Sequence, residues 1–516
     1  MQTPRRFVLG SVVSALGCVP LSAQLGPEQI RSLVEAEAVP SIELFREYLG
    51  LPNDAHFPED IDRLISWLDA ALTDRGFTTE RLATSRNDLL FAERHVANPA
   101  ATVLVYLQAD GQPVDLSAWQ QESPYRAELK QDDGTGTFRA ISWSSLQDEL
   151  DHDWRIYARS ASDSKGPNIQ FLRALDLMAQ AGAVPDYNLK VIIDTMEEMG
   201  SPVLPAAIEQ YSEKLSADML IIFDGPPHYS GRPSLKFGAR GFASFTLTTF
   251  GPRVPQHSGH YGNYAPNPGI RLAQILASMK DESGRVTIPG FYDGIEIDDA
   301  TQRILDAVPD DEVEVMRRLG IAATDGVAGS LQEAVQWPSL NVRGLESGWV
   351  GDEARTIVPA TAVAEVDVRL VPETDGWRLL GMIRDHIEGL GYHVLDDRDP
   401  TEDERLTYDR LARFDARVDY AAFRTAFDSE PGLWLSAGFV NLFGEEPVKI
   451  RTSGGSIPIS PFVSTLGIPA VTVPTVNPDN NQHSPNENLR VGSFLEGIAI
   501  AAAVLSQPLR PFVTIH

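Results

Sequence analysis

Short β-branched apolar runs alternate with helix-periodic stretches along the first 235 residues, and this alternation limits the fold more than any other feature. Thr102 to Leu107 reads TVLVYL, Leu189 to Ile193 reads LKVII, and Met219 to Phe223 reads MLIIF. Runs this short and this apolar are strands covered on both faces, as in a parallel sheet. Elsewhere Ile61, Leu64, Ile65, Leu68 and Leu72 recur at helical spacing before Gly76, and Ile169, Leu172, Leu175 and Met178 form a second stripe before Gly182. The expectation is an α/β domain with a mostly parallel sheet flanked by helices.

The texture changes at Lys236. Phe242 to Thr249 (FASFTLTT) reads as a half-exposed strand, and a helix is expected from Ile270 to Met279. Strands follow near Leu340–Val342 and Ala362–Leu370, then a helix over Trp377–Ile387. A β-α-β-β-α-β order predicts a small two-layer α+β domain of ferredoxin-like form. After about residue 400 the α/β texture returns and ends in an Ala-rich helix, Phe494–Leu505. Residues 24–235 and 401–516 thus read as two segments of one domain, with 236–400 inserted between them.

Residues 1–23 read as a signal peptide. Arg5 and Arg6 precede an apolar run from Phe7 to about Pro20, and Leu21-Ser22-Ala23 offers a small residue before a cut. The run is shorter than the ~20 apolar residues that span a bilayer, and no later run is long enough. Export to the periplasm or the extracellular space is expected. Cys18 is the one cysteine, so an intrachain disulfide is excluded. Seventy-two acidic side chains against 43 basic ones give a formal charge of −29. That field repels phosphate backbones and argues against nucleic acid as a partner.

The chain has no G-x-S-x-G, H-E-x-x-H, phosphate loop or G-x-G-x-x-G. Instead, acids and a histidine sit where strands end. Asp110 follows TVLVYL, Asp163 lies in RSASDSKG before a helix, Glu197 and Glu198 lie in DTMEEMG, Asp224 follows MLIIF, and His483 lies in NNQHSPNEN. In open α/β sheets ligands collect at the carboxyl ends of strands. Carboxylates gathered there repel one another unless a cation neutralises them, and carboxylates with an imidazole suit zinc. A spare carboxylate beside the metal is a candidate general base.

Five blocks in one order, QADGQPVD, RSASDSKGP, DTMEEMGSP, QHSGHYGNYAPNP and NNQHSPNEN, carry a resemblance, with RTIVP, VRLVP and GGSIP between the last two. The chain resembles the zinc aminoacylase and dipeptidase family that includes carnosinases, acetylornithine deacetylase and succinyl-diaminopimelate desuccinylase, and most of all its dipeptidase branch. The resemblance implies a hydrolase that cleaves the amide bond of dipeptides or N-acyl amino acids, with metal-bound water as nucleophile, and the signal peptide makes it an exported one. Asp163 would bridge two zinc ions, Glu198 and His483 would complete one site, and Asp224 would belong to the other. Manganese and cobalt stay open as alternatives to zinc. Glu197 would be the general base, and Asp110 would hold a ligand imidazole in place. The inserted domain would be a lid and dimerisation domain, making the chain a homodimer. His257 would reach the partner subunit's site and stabilise the oxyanion. Arg369 would hold the substrate carboxylate, with Thr356, Gly455 and Ser456 lining the same pocket.

One departure stands out. The family's first block reads H-x-D, and its His is a ligand of the metal shared with Asp224. Here Gln108 occupies that place. A neutral amide is a poorer zinc ligand than imidazole. His95 and His260 are candidates for a replacement. Three readings stay open: a weakened or different metal in that site, a single metal, or an inactive protein that keeps a peptide-binding cleft.

Overall fold

A computed structural model describes residues 24–455 and 457–509. The expected signal peptide (1–23) and Ser456 lie outside the described residues.

Eight strands form the main sheet, in the order Thr78–Leu82, Leu89–Arg94, Asn188–Asp194, Thr102–Gln108, Met219–Phe223, Ala470–Val473, Ser234–Lys236, Val448–Ile450. The four strands from Asn188–Asp194 to Ala470–Val473 pair in parallel, as their apolar runs predict. The edge hairpin is antiparallel, so the sheet as a whole is mixed. Alternation sends Val103, Val105 and Leu107 into one core and Leu104 and Tyr106 into the other. Helices therefore cover both faces. Gly166–Gln180 and Val491–Ser506 lie against each other on the first face. Gly497 permits their close approach: a Cβ there would come within 2.1 Å of Gln170 Nε2.

The inserted unit is a second sheet, ordered Ser339–Glu346, Thr361–Leu370, Gly241–Phe250, Leu411–Tyr420, His393–Leu395. Helices Pro268–Met279 and Gly376–Gly389 contribute Leu272, Ile275, Leu379 and Ile383 to one core with Phe245, Leu247, Val366 and Val368. This is the expected two-layer α+β arrangement. Its end comes later along the chain than residue 400, because Leu411–Tyr420 pairs with Gly241–Phe250 over its whole length. The cause is a period-two pattern: Ala412, Phe414, Ala416 and Val418 face the core and alternate with Arg413, Asp415 and Arg417. The chain enters and leaves the unit side by side, where Gly238–Ala239 pairs with Phe423–Arg424. A four-stranded sheet, Asn488–Arg490, Arg155–Tyr157, Glu128–Asp132, Phe138–Ala140, was not anticipated from the sequence. No helix among the described residues is long and apolar enough to cross a membrane.

Candidate active site

The carboxyl ends of the parallel strands converge on one acidic cluster. Thr102–Gln108 leads into Asp110, which is fully buried, and Asn188–Asp194 leads into a tight turn at Glu197–Met199. Asp110 fixes that turn. Its two oxygens accept from the backbone N–H groups of Glu197 (2.9 Å) and Glu198 (3.1 Å). Asp110 was expected to hold a ligand imidazole; the contacts seen are with the turn that carries the glutamates, and the place of that imidazole is taken by the Gln108 amide.

Asp163 is presented by the turn before Gly166–Gln180. Glu487 shapes that turn. Its carboxylate accepts from the N–H groups of Ser160 (2.9 Å), Ser162 (3.0 Å) and Asp163 (2.9 Å), and from the Ser162 hydroxyl (2.8 Å). Arg159 donates to it at 2.9 Å, and the two side chains are 3% and 1% exposed. Glu487 lies in NNQHSPNEN, the same loop as His483, so one loop supplies both a candidate ligand and the anchor of Asp163. The sequence reading missed Glu487 and Arg159. Nothing in a linear sequence pairs residues more than 300 positions apart, although both lie in the quoted blocks. Removing one partner of a buried ion pair strands the other charge. Arg159→Met is therefore expected to destabilise the protein by ~3–5 kcal/mol. A urea-unfolding midpoint that does not move would show that the serine and backbone donors alone satisfy Glu487.

Among the described residues, metal-binding side chains gather in one place. Ligand atoms of Asp163, Glu198 and His483 lie within 4.8 Å of one another. His483 Nε2 is 2.9 Å from Asp163 Oδ2 and 3.3 Å from Glu198 Oε2. His483 adopts a positive φ of 60°, and its ring is half exposed while both carboxylates are buried. Gln112 donates to Glu198 at 2.8 Å. Burial, and then the charge of Asp163, push the Glu198 carboxyl up to about 8. Burial, then Glu198, push Glu197 well above the carboxylate range. The hydrogen bond to Asp163 pushes His483 up to about 9. These shifts share a cause: buried negative charge short of a counterion. Two carboxylates and an imidazole within one coordination sphere fit a divalent cation such as zinc, manganese or cobalt.

The other half of the cluster is different. Gln108 Nε2 donates to Asp163 Oδ1 (2.7 Å) and to Ser164 Oγ (2.8 Å). The Ser164 hydroxyl lies 3.0 Å from Asp163 Oδ1 and 3.3 Å from Asp224 Oδ1. Asp224 follows Met219–Phe223 and is pushed up to about 6, by burial and then by Asp163. Neither candidate replacement imidazole is here. His95 pairs with Glu93 at 3.2 Å, and His260 packs on His257.

The lid residues form a separate group. His257 is exposed, accepts from the Gly259 N–H at 3.0 Å, and pairs across a short ladder with Ile357. Thr356 is its neighbour there, accepting from the Ser258 N–H at 2.9 Å. Arg369 sits on Thr361–Leu370, its guanidinium over the Phe242 ring and near Asp367. Gly455 is exposed in the loop after Val448–Ile450, where Thr452 and Arg451 both donate to Gln336 Oε1. The structure thus gathers Asp110, Asp163, Glu197, Glu198, Asp224, Gln108 and His483 in one cluster, and brings His257 and Thr356 together elsewhere.

Comparison with known proteins agrees with this geometry. Residues 139–507 match peptidase family M20/M25/M40. The chain is 26% identical over 485 residues to the Cys-Gly metallodipeptidase DUG1 of Candida albicans, covering 92% of this chain and 93% of that one. It is 26% identical over 361 residues to human Beta-Ala-His dipeptidase, covering 68% of each. Among solved structures, an M20 family metallo-carboxypeptidase from Sulfolobus solfataricus superposes with a TM-score of 0.74 at 27% identity, covering 92% of this chain and 99% of that one. The chain belongs to peptidase family M20/M25/M40, on its dipeptidase branch, and is a metallopeptidase.

Proposed function

We propose that this chain hydrolyses the peptide bond of dipeptides at the Asp163–Glu198–His483 centre, with Glu197 as general base. One observation carries the reading. Asp110 locks two adjacent glutamates on one turn, and only Glu198 joins the ligand triad. Glu197 is left beside the centre as a half-buried carboxylate whose proton affinity is raised well above the ordinary carboxylate value, chiefly by desolvation, and a raised proton affinity is what a general base needs. A cation held by the triad supplies Lewis-acid polarisation of the scissile carbonyl and a lowered pKa for water. Glu197 accepts the proton of the attacking water on its carboxylate and returns it to the departing amine. The exclusion of bulk water around Asp110 and Asp163 strengthens each of these interactions.

A dipeptide is favoured over an N-acyl amino acid because the similar curated proteins are named as dipeptidases. A second reading, a peptide-binding protein without turnover, rests on Gln108. Incubating the metal-loaded protein with free dipeptides and with N-acyl amino acids, and following products by mass spectrometry, separates the readings. Free amino acids from the dipeptides are expected. Retained affinity with no product from either panel would establish the binding protein. Export remains part of the proposal, on the Arg5-Arg6 pair and the apolar run behind it.

His257 is proposed to act across a homodimer. It is exposed on the lid, and its contacts among the described residues are with other lid residues. His257→Ala is expected to lower turnover by ~10²-fold, as for loss of one oxyanion donor, with KM little changed. Mixing inactive His257→Ala with inactive Glu197→Gln should recover part of the activity. Confirmed subunit exchange without recovery would reject action in trans.

A further inference from the structure

The half of the cluster around Asp224 does not fit a second metal ion. An ion shared with the first centre would have to touch both Asp163 and Asp224, since paired metals ~3.5–4 Å apart need a common anion. The Ser164 hydroxyl already lies within hydrogen-bond distance of both carboxylates. Gln108 turns its amide nitrogen to the same place, with Asp163 and Ser164 as its acceptors. An amide in that orientation offers hydrogens, and a cation needs lone pairs. Rotating it would aim the amide oxygen at a carboxylate oxygen 2.7 Å away, with no proton between them.

A positive charge is nevertheless present. Lys236 lies on Ser234–Lys236, two strands from Met219–Phe223, with its backbone level with Thr472 and Ile222 and its ammonium reaching toward Gly225, the residue after Asp224. Its ammonium interacts electrostatically with Asp224. Gly225 makes room for it: a Cβ on that residue would lie 3.3 Å from Lys236 Nζ, and its φ of +73° suits glycine. A divalent ion brought between Asp163 and Asp224 would be repelled by the ammonium and would gain only a neutral amide in exchange for an imidazole.

We propose that Lys236, with Gln108 and Ser164, stands in for the second metal ion, so that this chain holds a single divalent cation, at Asp163, Glu198 and His483. Lys236 then supplies the positive charge on the Asp224 side as a fixed part of the fold. The inference rests on the proposed metal centre but not on turnover, and its test is read without substrate.

The test is metal stoichiometry. Full-length protein is stripped with chelator, loaded with zinc, desalted and analysed for metal per chain. The wild type is expected to retain about one ion, and Asp224→Asn is expected to retain the same. Gln108→His alone and Lys236→Thr alone are each expected to stay near one, because each leaves the other obstacle in place. The double variant is expected to approach two. A wild type that holds two ions, with one lost in Asp224→Asn, would overturn the proposal. So would a second ion in Gln108→His alone, which would remove Lys236 from the argument, or a folded double variant that remains at one. If the double variant does not fold, the wild-type and Asp224→Asn counts decide the question between them. Hydrolysis could fail altogether with these counts unchanged, so loss of the enzymatic reading and loss of this inference are distinguishable.

Discussion

Glu197→Gln is expected to lower dipeptide turnover by at least ~10²-fold while bound metal stays at the wild-type level. The substitution keeps the side chain's size and its place on the turn. The turn itself is held through the backbone, by the Asp110 oxygens on the N–H groups of residues 197 and 198, and a side-chain change leaves those bonds intact. What is lost is a site for a proton. The raised proton affinity of Glu197 comes from burial and from the charges of Glu198, Asp163, Asp224 and Asp110 around it, and a Gln in its place cannot accept that proton. Steady-state kinetics with metal analysis on the same sample checks the expectation. Turnover within a few-fold of wild type would remove Glu197 from the chemistry.

His483→Ala is expected to have the larger effect on metal. Mutating groups that merely support a ligand costs ~10–100-fold in metal affinity, and loss of the ligand itself should cost at least that much. The imidazole is also the only side chain of the triad that adds no negative charge. Without it Asp163 and Glu198 face each other with Gln112, Gln108, Ser164 and Gln482 as their side-chain donors. Both metal content and turnover should then fall to background. Isothermal titration with zinc distinguishes this from Glu197→Gln, where the binding isotherm is expected to be unchanged. A His483→Ala protein that binds zinc as tightly as the wild type would show that the triad is not the metal site.

Much of the site was legible because each candidate sits where a strand ends, and strand ends are marked by where apolar runs stop. TVLVYL, LKVII and MLIIF point directly to Asp110, Glu197 with Glu198, and Asp224. What the runs do not reveal is which atoms meet. Asp110 was expected to orient an imidazole, yet its partners are backbone N–H groups, which a side-chain motif does not display. Lys236 was visible only as the residue where the texture changes, because its relation to Asp224 depends on the sheet order, with Ala470–Val473 lying between their strands. Glu487 is a similar case, since its role depends on a loop near the C-terminus returning to the turn at 159–163. The late end of the inserted sheet has a different origin. Leu411–Tyr420 alternates apolar with charged residues from Ala412 to Asp419, so it was legible as a half-exposed strand, and what the sequence does not display is its partner, which pairing with Gly241–Phe250 supplies.

The central claim is that hydrolysis depends on a cation held by Asp163, Glu198 and His483. Its most direct test is dipeptide turnover by chelator-stripped protein as zinc or manganese is added back. The account predicts no turnover in the stripped protein and recovery that tracks occupancy of the centre, absent in His483→Ala at the same metal concentration. Full turnover from metal-free protein, or none from protein shown to carry its metal, would contradict it.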